Sequence, residues 1–246
     1  MVSQRGPNID ELEQQVRAHT REQHRGLLGA VEGLLNAYLA VFRESGEFHP
    51  TDDNRNEQVW LLLTARSFNS LRWAYELVSM GYYTQAMVLT RCVFEDWLVC
   101  MDVVNHETTV SAILEAGGRL PRFAEMAQRS LPPELLAWWQ GDGDNDQSVY
   151  GLLSTFAHPR YRALASQLVQ SSNTLRVGPA YDEDLFLVSF HYMATAARRM
   201  TEFLARSAGE GAAATIADEL RVAITNTNEA TDAAIGRAIE LLGDES

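Results

Sequence analysis

Two pairs of chemistry-bearing residues stand out by type and spacing. Arg91 and Glu95 lie four residues apart within MVLTRCVFEDWL, residues 87–98, so on a helix they share one face of an otherwise apolar stretch. A guanidinium in such surroundings needs a partner, because an unpaired buried charge costs several kcal/mol. The pair is compatible with three chemistries: an ion pair that fixes helix packing, an arginine held by Glu95 and aimed into a cavity to bind an anion, or a surface pair.

Tyr150, Ser154 and His158 repeat at i, i+4 and i+8, which puts phenol, hydroxyl and imidazole on one stripe of a segment otherwise made of Val149, Leu152, Leu153, Phe156 and Ala157. One reading is local. A histidine in a last turn complements the helix dipole, and hydroxyls bond backbone groups. The other is a binding or acid–base site around His158. A Ser-His hydrolase fits poorly, since neither a nucleophile elbow nor an orienting acid accompanies Ser154.

Charge sharpens the second reading. The 246-residue chain has a formal charge of −13, yet from Gln147 to Tyr181 it holds no Asp or Glu and three arginines, Arg160, Arg162 and Arg176. A basic island beside His158 in an acidic protein is where an anion would be held, with Arg160 or Arg162 at its mouth. It is too small a basic surface for nonspecific DNA binding, which relies on several phosphate contacts. All 20 basic residues are arginine and none is lysine. That excludes P-loop NTPases, protein kinases and pyridoxal-phosphate enzymes in standard form, each of which needs a lysine.

No cofactor and no metal centre are expected. Asp142, Asp144 and Asp146 suggest a calcium loop, but its sixth position is Gln147 in place of Gly and its twelfth is Leu153 in place of Glu. These acids read better as a turn capping the next helix. Cys92 and Cys100 are too far apart on one helix for a disulfide. No charged segment leads into an apolar run at the N-terminus, and charges interrupt the apolar stretch from Met87 to Val104, so a cytoplasmic chain without a membrane span is expected.

The elements that must position these residues read as helices throughout. Asn8 and Glu11 form a capping-box signature ahead of Leu27, Val31, Leu34, Tyr38 and Val41, predicting one long helix from about Ile9 to about Arg43. A second helix, from near Glu57, carries Val59, Leu62, Leu63, Trp73 and Leu77 as its seam and stops at Gly81, a residue suited to a left-handed cap. A third, about Tyr83 to Asn105, is apolar nearly all round, hence central, and makes an antiparallel hairpin with the second. Short helices follow at about Val110 to Glu115, Pro121 to Arg129, Pro133 to Trp139 and Gln147 to Ala157. Long ones span Asp182 to about Ser207 and about Ala212 to Leu242. No segment alternates with period two. The fold class is all-α, a helical bundle with long N- and C-terminal helices around a central antiparallel helical hairpin. One domain, 1–246, accommodates it, with a core at about 57–207, an N-terminal helix and loop in 1–56 and a C-terminal helix in 208–246.

ELVSMGYYTQAMVLTRCVFE, residues 76–95, followed by YGLLSTFAHP, residues 150–159, resembles an uncharacterised family of bacterial all-α proteins that is similar in turn to the HEPN superfamily. The likeness covers roughly residues 59 to 165 and rests on the paired pattern R-x3-E plus Y-x3-S-x3-H-P. It implies a homodimer, for which Ile216, Leu220, Ala223 and Thr227 offer a face. It also implies one of two functions. The first is a noncatalytic binding or regulatory module, defence- or stress-associated, for a nucleotide, an RNA end or a protein partner, with Arg91, Glu95, Tyr150, Ser154, His158, Arg160 and Arg162 as the ligand-binding set. The second is a metal-independent ribonuclease of toxin or phage-defence type, with His158, Arg91 and Glu95 as catalytic candidates. Active members carry an arginine four to six residues from the histidine. Here those positions before His158 are Ser154, Leu153 and Leu152, so Arg91, Arg160 or Arg162 would have to substitute from elsewhere.

Overall fold

Asn8 starts the first helix as its sequence signature predicts. Its side chain accepts a hydrogen bond from the Glu11 backbone at 3.0 Å, and Glu11 returns one from the Asn8 backbone at 3.1 Å, which satisfies two otherwise orphaned donors. The computed structural model describes residues 8–44, 55–115, 118–140, 148–157, 168–169, 174–175, 178–207, 221–232 and 234. The predicted long first helix is two helices, α1 (Ile9–Gln23) and α2 (Arg25–Glu44), broken at His24 with φ −124° and ψ 32°. The break has a tertiary cause. The buried His24 ring stacks on Phe186 at 4.0 Å, and its Nε2 lies 2.9 Å from the Tyr181 hydroxyl, so the residue leaves helical angles to seat its ring. Helix α2 is long and apolar enough over Arg25–Arg43 to cross a membrane by length and composition. In this fold its apolar stripe, Leu27, Val31, Leu34, Tyr38 and Val41, lies in the core instead.

Helices α3 (Arg55–Ser79) and α4 (Tyr83–Val103) form the predicted hairpin and pack along each other. Gly81 joins them at φ +83°, with Tyr82 N–H on the Leu77 carbonyl (2.9 Å) and Gly81 N–H on that of Val78 (3.2 Å), the paired bonds of a Schellman cap. A second constraint also selects glycine, since a Cβ there would fall 2.4 Å from the Ala180 carbonyl oxygen. Of the seam predicted for α3, Val59 is buried and Leu63 and Leu77 pack against the core, but two members are not inside. Leu62 and Trp73 point outward, 60% and 63% exposed, while Trp60, Thr64, Ser67, Leu71, Ala74, Tyr75 and Val78 face inward. Small and hydroxyl-bearing residues on that face let the α3 backbone approach α4, and their hydroxyls are satisfied, Thr64 by the Leu61 carbonyl and Ser67 by Asp96 of α4.

Around α4 lie α5 (Glu107–Leu114), α6 (Phe123–Ser130), α7 (Pro133–Gln140) and α8 (Val149–Ala157). Then come a two-residue antiparallel strand pair, Leu168–Val169 with Thr174–Leu175, which the sequence did not suggest, and a long helix α9 (Glu183–Ser207). Asp182 caps α9 by accepting from Leu185 N–H at 3.1 Å. Helix α9 packs on α4, α3 and α2, and the fold class is all-α. Residues 221–232 are helical and return to α2, where the buried Thr227 hydroxyl reaches the Ala30 carbonyl at 3.3 Å. Ala223 and Thr227, expected on a dimer face, are therefore buried within the chain. Ile216, Leu220 and the acidic turn with Asp142, Asp144 and Asp146 lie outside the described residues.

Acids inside α4 tie the shorter helices to it. Asp102, 0% exposed, accepts Arg129 Nε at 2.7 Å, a second bond from Arg129 Nη2, and the hydroxyls of Thr109 and Ser130. Burial pushes its carboxyl up, but these donors outweigh it and hold it below its ordinary value. Asp96 is likewise buried and accepts Ser67 Oγ and Arg66 Nε, each at 3.0 Å.

Candidate functional site

Two apolar helices that each carry a polar stripe can cover those stripes against one another, and α4 and α8 do so. Arg91 Nε donates to Glu95 Oε1 at 2.8 Å, one turn along α4, and Arg91 Nη2 donates to the Tyr150 hydroxyl on α8 at 3.2 Å. The guanidinium carbon stands 5.2 Å from the centre of the Tyr150 ring, within cation–π range. Arg91 is 15% exposed and Glu95 21%, so both ends of the pair are mostly sheltered from solvent. Burial pulls the Arg91 guanidinium down, but Glu95 and the Tyr150 hydroxyl together raise it above its usual value. It is a permanent cation, unable to act as a general base.

An aromatic wall fixes Tyr150. Its ring stacks on Trp139 of α7 at 5.2 Å and tilts against Phe123 of α6 at 6.0 Å, while Trp138 lies 5.5 Å from Phe94 on α4. Because the phenol oxygen accepts from Arg91, its own proton is directed elsewhere. One turn on, the Ser154 hydroxyl is buried with no hydrogen-bond partner among the described residues. The arrangement is rich in donors: a guanidinium and two hydroxyls. Among the described residues no histidine or carboxylate hydrogen-bonds Ser154.

Of the residues singled out in the sequence, Arg91, Glu95 and Tyr150 are in contact, and Ser154 follows on the Tyr150 stripe. His158, Arg160 and Arg162 lie outside the described residues, as does Arg176. The aromatic wall was not foreseen, although a Trp138–Trp139 pair in an eight-residue helix is its signal. Nor were the buried networks of Asp96 and Asp102. Acids within a helix apolar on every face already demanded partners from other elements.

The chain matches no family model, no curated protein and no solved structure.

Proposed function

We propose that this protein is a noncatalytic, HEPN-like binding module that holds the anionic group of a nucleotide or an RNA end at the α4–α8 seam. The observation that carries the reading is the Arg91 guanidinium, set between Glu95 and Tyr150 beside an unbonded buried Ser154 hydroxyl. Glu95 orients the fork, Tyr150 and Ser154 offer hydroxyl donors, and a nearly dry edge strengthens each contact. Binding is favoured over cleavage because the described part of the site holds donors and a fixed cation without a base positioned on a nucleophile. A cytoplasmic homodimer belongs to the same proposal, its interface formed by surfaces other than Ala223 and Thr227.

Calorimetric titration of the purified chain with nucleoside monophosphates and with short RNAs ending in phosphate tests this reading. The native chain is expected to bind, and Arg91→Ala to lose the share of that binding that occurs at the α4–α8 seam; identical binding by both chains would refute the reading. A parallel incubation with total RNA in EDTA checks the ribonuclease reading. Cleavage that disappears in His158→Ala would replace the module with an enzyme.

A further inference from the structure

Helix α9 carries a polar stripe separate from the α4–α8 seam. His191, Thr195 and Arg198 succeed one another at helical spacing, with Arg199 and Glu202 alongside. Four atoms of this group are buried with no hydrogen-bond partner among the described residues: His191 Nδ1, Thr195 Oγ1, Arg198 Nε and Arg199 Nε. Buried polar atoms are nearly always paired, and so many on one stretch of one helix require an explanation.

The charges are as unbalanced as the hydrogen bonds. Arg199 pairs with Glu202 at 3.3 Å and lies over the Trp138 indole at 5.5 Å. Among the described residues no carboxylate lies within ion-pair distance of Arg198, a half-buried side chain. Burial, then the adjacent Arg198 charge, and further on Arg206, pull the Arg199 guanidinium down, and Glu202 only partly offsets them. The His191 imidazole is held neutral, down to about 4, by burial and then by Arg198. The Asp232 charge and the Thr231 backbone, both in segment 221–232, act on His191 in the opposite sense. Among the described residues, Arg199 thus has two neighbouring guanidinium charges, Arg198 and Arg206, against the Glu202 carboxylate, with Asp232 acting on His191, in a chain whose total is −13.

We infer that Arg198 and Arg199 form an oxyanion site that takes a phosphate or phosphomonoester, with the Thr195 hydroxyl as a further donor and Trp138 as a flat surface beneath Arg199. A phosphomonoester carries close to two negative charges and strong acceptor oxygens, which matches the local surplus of positive charge and the unbonded N–H groups better than a carboxylate does. Neutral His191 adds no competing cation and leaves Nδ1 as an acceptor for a protonated phosphate oxygen. The inference does not rest on the Arg91 site.

The test uses the full chain, with inorganic phosphate and adenosine monophosphate as probes, chloride holding ionic strength constant. Thermal unfolding and the arginine Nε–H resonances are read together. Phosphate should raise the native Tm and shift the Arg198 and Arg199 Nε–H signals. Arg198→Gln, which among the described residues has no ion pair to lose, should melt no lower than native without phosphate and should bind phosphate about tenfold more weakly or worse. Arg91→Ala should keep the response. Equal affinity for the two probes assigns the site to the phosphate group alone, and tighter binding of adenosine monophosphate, lost in Trp138→Leu, assigns it to a nucleotide. The inference is overturned if phosphate moves neither readout, if Arg198→Gln responds as native does, or if the response follows Arg91 instead.

Discussion

Removing Arg91 and Glu95 singly and together measures how much of their contact is electrostatic and how much is packing. At 2.8 Å the bond is charge-assisted, worth about 1.5–3 kcal/mol when sheltered. With Arg91 15% and Glu95 21% exposed, the lower half of that range applies, well above the value of an open surface pair. Arg91→Ala also loses the Tyr150 contact and the packing of its stem, so about 2–3 kcal/mol of stability should go. Glu95→Ala leaves Arg91 still bound to Tyr150 and should cost about 1–2 kcal/mol. In the double variant no stranded charge remains. Its cost should match that of Arg91→Ala alone, a coupling of about 1–2 kcal/mol. Urea unfolding followed by circular dichroism supplies all three values. Losses that simply add, within about 0.5 kcal/mol, would show that the two charges ignore each other and that Glu95 does not orient Arg91.

Three further outcomes are expected. Asp102→Asn should cost about 3 kcal/mol at neutral pH, because an amide offers a donor where Arg129, Thr109 and Ser130 need an acceptor. Asp102 titrates below its ordinary value when folded, so its contribution is complete above about pH 5 and fades as pH falls through the folded value. The gap between native and Asp102→Asn should accordingly close on acidification, and urea midpoints across pH will show it. Gly81→Ala should lose about 2 kcal/mol or more in the same assay, from left-handed strain plus the close approach of Ala180. His24→Leu preserves an apolar ring-sized plug against Phe186 but forfeits the bond to Tyr181, a loss of about 1 kcal/mol by thermal or urea unfolding.

Local pattern and tertiary demand divide what could be read in advance. The capping box at Asn8, the glycine turn at Gly81 and the central position of α4 were legible because each depends on neighbours in sequence or on the composition of one helix. The contact between Arg91 and Glu95 was legible for the same reason. Its extension to Tyr150 followed from the need to cover polar stripes. The break at His24 was not legible, since its cause is Phe186 and Tyr181, far along the chain. Nor was the full facing of α3, where Leu62 and Trp73 offer more apolar surface than Thr64, Ser67 and Ala74 yet lie outside. Tight helix approach selected small residues over greasy ones. The Arg198 and Arg199 group escaped notice because two adjacent arginines on a long helix look like a solvated face.

The contact between Gly81 and Ala180 also orders events in time. The α3–α4 turn closes over a few residues, whereas Asp182 N–H reaches the Tyr83 hydroxyl, at 3.2 Å, across 99 positions of chain. Closing so long a loop requires far more chain entropy to be lost first, so the hairpin forms early and the start of α9 docks onto its tip late. The two roles of Gly81 then fall on opposite sides of the folding barrier. The left-handed turn is already needed in the transition state, and the room left for Ala180 is needed only afterwards. Gly81→Ala should slow refolding by the strain of the turn and speed unfolding by the blocked contact, and the native tip should exchange its amide protons through opening of residues 180–182 before the hairpin itself comes apart.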